Sequence, residues 1–297
     1  MKKMRIPLLA ALGVALIGIV LGSFLDLNIS SAIANPKSTF GLLVSAILPT
    51  IGFAGVAAMG GGFIALIVKG KYHIALKILF GVLAAACLGV AIHYPAGEYF
   101  GPNGFYWVAS KWAGYLIVIL PEAAAMVGGY FLFKDYENDK IWIVFLVIVG
   151  LLLIALLGVI PTIKDNMHRP RYRLISTTDA VGFHNWWEPT KNYDELIKTF
   201  HFDKEDFKSY PSGHTAEVSI LLVVVSLFPL ASKKLEKYQM PAFYVSCGLV
   251  LLVAFARILA GAHFLSDVSW GAFIMLILTF IANEVIMKIK ALQLKEE

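Results

Sequence analysis

Charged side chains are scarce in this sequence of 297 residues, and cysteine is nearly absent. Only 15% of the residues are Asp, Glu, Lys or Arg, whereas about a quarter are charged in a typical soluble domain. This shortage excludes an ordinary cytosolic enzyme and a disordered chain. The two cysteines, Cys87 and Cys247, lie inside apolar runs, so we expect small buried hydrophobic residues and neither a disulfide nor a metal pair.

What the sequence does contain is a series of long apolar segments. Hydrophobic residues make up 59% of the chain, and the mean hydropathy is +0.75. Several segments exceed the ~18 residues above which an apolar run indicates a bilayer span. The sequence therefore predicts an all-α polytopic membrane bundle with about eight transmembrane helices. The predicted spans cover roughly residues 6–26, 41–68, 73–94, 109–133, 141–163, 213–231, 241–262 and 265–287.

The first apolar segment has some features of a secretory signal peptide. It follows Lys2, Lys3 and Arg5, and Ala32 and Ala34 are spaced like a cleavage site. Its apolar stretch of about 20 residues exceeds the ~7–15 residues of a signal-peptide core. We therefore expect a retained span, and cleavage would leave the topology downstream unchanged.

The distribution of Lys and Arg predicts the orientation of the bundle. With eight spans and both termini in the cytoplasm, thirteen cations fall on cytoplasmic segments, and the short outer loops hold only Lys37, with Lys111 at a span edge. This pattern follows the positive-inside rule. It also accounts for much of the net charge of +5, so nucleic acid is not an expected partner.

One predicted outer loop breaks this rule. The segment from about 164 to 211 carries eight cations and eight carboxylates. A solvated, charge-balanced loop is one interpretation, but loops longer than about 12–15 residues are usually functional or disordered. The chemistry of the neighbouring motifs favours a functional loop.

Three polar clusters fall on the same predicted membrane face. They cover residues 164–171 at the end of the fifth span, 210–215 at the start of the sixth, and 257–267 between the seventh and eighth. Since the fifth and seventh spans run outward and the sixth and eighth run inward, the clusters are expected to converge. The predicted site is therefore extracytoplasmic.

The residues of these clusters are suited to binding a phosphoryl group. Lys164, Arg171 and Arg257 supply cations, and guanidinium groups grip phosphate oxygens in a bidentate manner. Ser212 and Gly213 lie at the start of a span, where free backbone N–H groups form an anion site.

Two histidines provide the reactive groups. His263 and Asp267 are spaced i, i+4, and a carboxylate beside an imidazole fixes its tautomer. With no cysteine nearby, His263 is the candidate nucleophile. His214 is then the candidate acid that protonates the leaving oxygen.

The order Lys-x6-Arg, Pro-Ser-Gly-His and Arg-x5-His-x3-Asp resembles the type 2 phosphatidic acid phosphatase (PAP2) and vanadium haloperoxidase superfamily. The resemblance covers roughly residues 141–287. Members of that family usually have Pro after the first motif and Ser before the third, where this sequence has Tyr172 and Ala256. Neither departure removes a charged catalytic residue.

The resemblance implies a role for each motif residue. Lys164, Arg171 and Arg257 resemble the phosphate-binding cations, and Ser212 and Gly213 the oxyanion contacts. His214 resembles the general acid, and His263 the nucleophile that forms a phosphohistidine, oriented by Asp267. No metal and no cofactor is required. Residues 1–140 are expected to be N-terminal transmembrane helices, and residues 141–297 a PAP2-like phosphatase core with the extracytoplasmic active-site loop 164–211.

Several other polar residues are candidates for supporting roles. Glu217, one turn into the sixth span, and Arg169, in the first cluster, are expected to lie behind the site. Glu122, inside the fourth span, is interpreted as a packing contact. Trp186 and Trp187 either anchor the active-site loop or admit a lipid tail. A zinc site built from the loop histidines lacks a recognisable ligand spacing.

These observations predict an integral phosphatase of the cytoplasmic membrane that hydrolyses a lipid phosphate or diphosphate. Undecaprenyl diphosphate, phosphatidylglycerol phosphate and phosphatidic acid share the reacting group, and no sequence rule separates them. A lipid phosphotransferase would use the same motifs. A transporter is the alternative from a different class, but it predicts ionisable residues at mid-membrane depth and often inverted repeats. The oligomeric state is not predicted.

Overall fold

The computed structural model describes residues 4–99, 111–136 and 141–296. Within these ranges all of the regular structure is helical. In chain order the helices are α1 (Arg5–Ile33), α2 (Thr39–Lys69), α3 (Ile74–Tyr99), α4 (Lys111–Phe133), α5 (Ile141–Leu153), a π-helix (Ile154–Val159), α6 (Ile160–Met167), α7 (Tyr172–Ile175), α8 (Tyr193–Phe200), a 3₁₀ turn (Lys204–Phe207), α9 (Gly213–Ser226), α10 (Phe228–Ala231), α11 (Lys233–Glu236), α12 (Gln239–Leu259) and α13 (Leu265–Glu296).

Eight helical segments of the described residues are long and apolar enough to cross a bilayer. This confirms the predicted all-α membrane bundle and the number of spans. The fifth span is composite, because α5 continues through the π-helix into α6. The predicted start of the fourth span at residue 109 and the predicted domain boundary after residue 140 lie outside the described residues.

The second span is the central helix of the bundle and packs against α3, α4 and α9. Gly60, Gly61 and Gly62 are all buried in it. A Cβ atom on Gly61 would lie 1.9 Å from the carbonyl oxygen of Met126 in α4. The glycines therefore permit close helix packing, as small residues do in membrane proteins.

The segment between α6 and α9 folds as a cap over one end of the bundle. Its own apolar core consists of Leu174, Val181, Leu196 and Phe207. The cap is tied to the helices through the backbone, since the N–H of Arg173 donates to the carbonyl of Gly261 at 2.9 Å. The long charged segment is thus an ordered element that closes the end of the bundle where the three motifs lie.

Candidate active site

Backbone and side-chain contacts bring the three polar clusters together at one end of the bundle. The Lys164 ammonium donates to the carbonyl of Lys208 at 3.0 Å, next to the second cluster. The N–H of Ser212 donates to the carbonyl of Asp267 at 2.9 Å, which joins the second and third clusters. Residues separated by more than a hundred positions in the sequence therefore form one site.

The imidazole of His263 is almost completely buried, with 1% of the residue exposed. Its Nδ1 lies 2.5 Å from the carbonyl oxygen of Ser209. Because a carbonyl can only accept, Nδ1 carries the proton, and Nε2 is left with its lone pair. Among the described residues Nε2 has no hydrogen-bond partner. It is therefore the nitrogen of the ring whose lone pair is not used by a hydrogen bond.

Asp267 does not orient His263 directly, contrary to the expectation from the motif. Its Oδ2 lies 4.0 Å from Nδ1 of His263, beyond hydrogen-bond distance. Instead Oδ2 accepts the Ser209 hydroxyl at 2.6 Å and the Phe264 N–H at 2.8 Å. Since α13 begins at Leu265, His263 precedes the helix and the carboxylate folds back to cap its start. Ser209 is the link between the two residues.

The three expected phosphate-binding cations surround this imidazole. Arg171 and Arg257 are buried, and Nε of Arg257 has no partner among the described residues. Burial lowers the pKa of His263 well below its usual value, and the charges of Arg257, Lys164 and Arg171 lower it further. The imidazole is thus held neutral among positive charges.

The start of α9 forms the remaining wall of the pocket. Ser212 is its N-cap, and its hydroxyl accepts the N–H of Thr215 at 3.4 Å. The Ser212 N–H is already bonded to Asp267, so it is not the free oxyanion donor that was expected. The first N–H groups of the helix, from Gly213 and His214, have no acceptor within the helix and are the ones available to an anion.

His214 faces His263 across the pocket, with 6.5 Å between the ring centroids. Its Nε2 lies 2.9 Å from Oε2 of Glu98, near the end of α3. A carboxylate at this distance fixes the orientation of the His214 imidazole. Sequence reasoning missed Glu98, because it lies outside every motif; its place near the end of an apolar span was the only available signal.

Glu217 and Arg169 occupy different positions relative to the pocket. Oε1 of Glu217 and Nζ of Lys164 lie 3.6 and 3.8 Å from the point where a Cβ on Gly213 would be, so Glu217 lies at the start of α9 beside Lys164. Arg169 has no exposed surface, and its Nη1 donates to Oδ1 of Asp267 at 2.5 Å. It lies behind the third motif rather than in the pocket.

The tryptophan pair of the cap, the carboxylate of the fourth span and one loop histidine lie in different surroundings. Trp186 anchors the cap, since its Nε1 donates to the Ser23 hydroxyl at 3.0 Å, whereas Trp187 is 48% exposed. Glu122 is fully buried, and neither carboxylate oxygen has a hydrogen-bond partner in the described part of the chain. His168 stacks on Tyr193 with ring centroids 3.7 Å apart.

Comparison with protein families shows to which family the part of the chain that contains this site belongs. The sequence profile of the PAP2 superfamily matches residues 142–290, which is half of the chain. The chain belongs to the PAP2 superfamily. Comparison with curated proteins and with solved structures gives no match. Membership implies phosphatase-type activity, and the eight apolar helices imply that this PAP2 protein is an integral membrane protein. All three motifs lie inside the matched range, whereas Glu98 lies outside it.

Proposed function

We propose that this PAP2 protein hydrolyses a membrane lipid phosphate or diphosphate through a phosphohistidine intermediate. The observation that carries the proposal is the unpartnered Nε2 of His263, on a ring that lies near His214 and three cations. A buried lone pair beside fixed positive charge suits attack on an anionic phosphorus centre.

The proposed reaction has two steps. Nε2 of His263 forms a bond to phosphorus while the bond from phosphorus to the leaving oxygen breaks, and His214 gives its proton to that oxygen. Water then attacks the phosphohistidine while His214 takes a proton from this water, and the N–P bond breaks. Inorganic phosphate is released, and neutral His263 and protonated His214 are restored. Lys164, Arg171, Arg257 and the N–H groups of Gly213 and His214 stabilise the charge on the phosphoryl oxygens.

An apolar groove supports a lipid substrate. It has a volume of about 110 Å³ and lies between α2, α3, α5 and the π-helix. Its walls are hydrocarbon side chains such as Val56, Val90 and Leu156, and its polar end is formed by Gly213 and Glu217. The groove thus meets the phosphate pocket, and a hydrocarbon chain in it would place the attached phosphate beside His263.

We further propose that residues 141–297 form the catalytic core and that the helices before residue 140 supply Glu98 and one wall of the groove. The positive-inside distribution favours an extracytoplasmic site with both termini in the cytoplasm. A phosphotransferase would follow the same first step, with another hydroxyl in place of water.

Phosphate release by the purified protein tests this proposal. The substrates are prenyl diphosphates, phosphatidylglycerol phosphate, phosphatidic acid and a sugar phosphate, each assayed with and without EDTA. We expect release from at least one lipid substrate that EDTA does not reduce. Release from the sugar phosphate alone would contradict a lipid substrate, and loss of release in EDTA would contradict a metal-independent reaction. Transfer of labelled phosphate to an added lipid alcohol would identify the phosphotransferase.

A further inference from the structure

Arg169 bridges two buried carboxylates from distant parts of the chain. Its Nη1 donates to Oδ1 of Asp267 at 2.5 Å, and its Nη2 to Oδ2 of Asp26 at 2.9 Å. Its Nε donates to the carbonyl of His184 at 2.8 Å, and its guanidinium lies 4.4 Å from the centroid of the Phe264 ring. The side chain is committed to these contacts and is unavailable to a substrate phosphate.

Asp26 lies within the first transmembrane helix and is almost fully buried. Its Oδ1 accepts the N–H of Ser266 at 2.9 Å. Its Oδ2, which binds Arg169, also accepts the Ser266 hydroxyl. The helices approach closely here, because a Cβ on Gly22 would lie 2.6 Å from the Ser266 nitrogen. A carboxylate inside a membrane helix is costly unless it is paired, and Asp26 is paired with the start of α13.

A continuous series of hydrogen bonds joins Asp26 to the reactive imidazole. Arg169 connects Asp26 to Asp267, and Asp267 accepts the hydroxyl of Ser209 at 2.6 Å. The carbonyl of the same serine fixes Nδ1 of His263. Each member holds the orientation of the next, so the carboxylate of α1 acts on the nucleophile without touching it.

We propose that Asp26 is a positioning residue for His263, and that the first transmembrane helix is therefore part of the catalytic apparatus. This inference rests on the proposed function, since it assigns a role in the reaction at His263. Asp26 lies outside the range matched by the family, residues 142–290. Nothing in the three motifs points to it.

Charge provides a readout that separates positioning from simple structural support. In the wild type Asp26 and Asp267 give the network one more negative charge than Arg169 balances; Asp26→Asn removes this excess, so that Arg169 and Asp267 compensate each other. Five titratable or charged side chains already act on His263. They are three cations, one histidine and one carboxylate: Arg257, Lys164, Arg171, His214 and Asp267. Loss of this negative charge disfavours the protonated form of His263, so the acid limb of the pH profile moves to lower pH.

The experiment compares wild type, Asp26→Asn, and the double variant Asp26→Asn with Arg169→Gln in phosphate release. Asp26→Asn should lower kcat by about tenfold or more, the effect of removing an outer hydrogen-bond partner, with KM little changed and the acid limb of kcat/KM at lower pH. The double variant removes both charges, so it should return the acid limb toward wild type while kcat stays low. Asp179→Asn, an exposed carboxylate of the same cap, is the matched control and should change neither quantity.

Wild-type kcat and an unmoved acid limb in folded Asp26→Asn would overturn the inference. If Asp26→Asn does not fold, the inference is tested with the double variant. Wild-type kcat in the folded double variant would also overturn the inference. Folding is checked by size-exclusion chromatography and thermal unfolding in detergent. Absence of phosphate release from the wild type is a different outcome, because it rejects the proposed function itself.

Discussion

At the scale of single residues, the two nitrogens of His263 have opposite surroundings. Nδ1 is fixed by the Ser209 carbonyl at 2.5 Å, whereas Nε2 has no partner among the described residues. One nitrogen is thus held by a hydrogen bond and the other keeps its lone pair among cations, which is the arrangement that the proposed nucleophile requires in its neutral form.

We predict that the acid limb of kcat/KM lies below pH 6.5, the ordinary pKa of histidine. Burial and the surrounding cations lower the pKa of His263, so the imidazole stays neutral, and reactive, at pH values where an ordinary histidine is protonated. Lowering the pH inactivates the protein only when it passes this lowered pKa. The measurement is a pH profile of kcat/KM corrected for the second ionisation of the substrate phosphate. A limb at or above pH 6.5 would contradict a neutral nucleophile at this position.

Arg257 permits a second prediction at the residue scale. It is buried beside His263, and removing a donor that stabilises transition-state charge costs about 10²–10³-fold in turnover. We therefore expect Arg257→Ala to lose activity by that factor while remaining folded. The control is Lys191→Ala, an exposed cation of the cap, which should keep wild-type activity. Near-normal phosphate release by Arg257→Ala would contradict a role of the guanidinium in the mechanism.

At the scale of elements, α3 contributes to the site from outside the range matched by the family. Its last turns hold Glu98 against His214, and its middle turns line the apolar groove through Ala86 and Val90. On the opposite side of the groove, the fifth span widens into the π-helix. Such distortions are frequent at functional sites.

Glu98→Gln should affect substrates according to their leaving group. The carboxylate 2.9 Å from Nε2 orients the imidazole of His214. The proposed proton transfer from His214 is needed when an alkoxide leaves but not when p-nitrophenolate leaves. We expect kcat for a lipid phosphate to fall by about 10-fold or more, within the 10²–10⁴-fold total effect of general acid catalysis, while kcat for p-nitrophenyl phosphate changes little. Equal losses for both substrates would indicate that Glu98 has another role.

Ala86→Trp should separate lipid from water-soluble substrates. Ala86 lines the groove and is exposed in it, so an indole there would occupy the space of the hydrocarbon chain. A displacement of the phosphate by about 1 Å costs about 10²-fold in rate. We expect a loss of that order with the lipid and wild-type turnover of p-nitrophenyl phosphate.

The neighbouring substitution Ala85→Trp is the matched control for the groove. Ala85 is also exposed on α3, but it does not line the groove, so turnover of both substrates should be retained. Unchanged lipid turnover in Ala86→Trp would place the substrate chain elsewhere.

At the scale of the whole molecule, the apolar pattern was sufficient for the fold. The eight spans follow from length and hydropathy alone, because a bilayer leaves few alternatives to a helix. The candidate residues of the three motifs could likewise be found from their spacing. Asp26, Glu98 and Ser209 could not, since each acts through a hydrogen bond made across helices or through a backbone carbonyl. No periodicity or local motif reports contacts of that kind.

The connection between α1 and α13 also affects how the molecule assembles. Asp26 is separated from its partner Arg169 by 143 positions and from Ser266 by 240. During synthesis the first helix therefore reaches the membrane long before the groups that balance its carboxylate exist. An unpaired carboxylate inside a membrane helix is costly, so we expect α1 to settle at its final position only when the cap and α13 have been made. Among the eight described spans α1 precedes the others in the chain, and we expect it to be one of the last to be fixed in place.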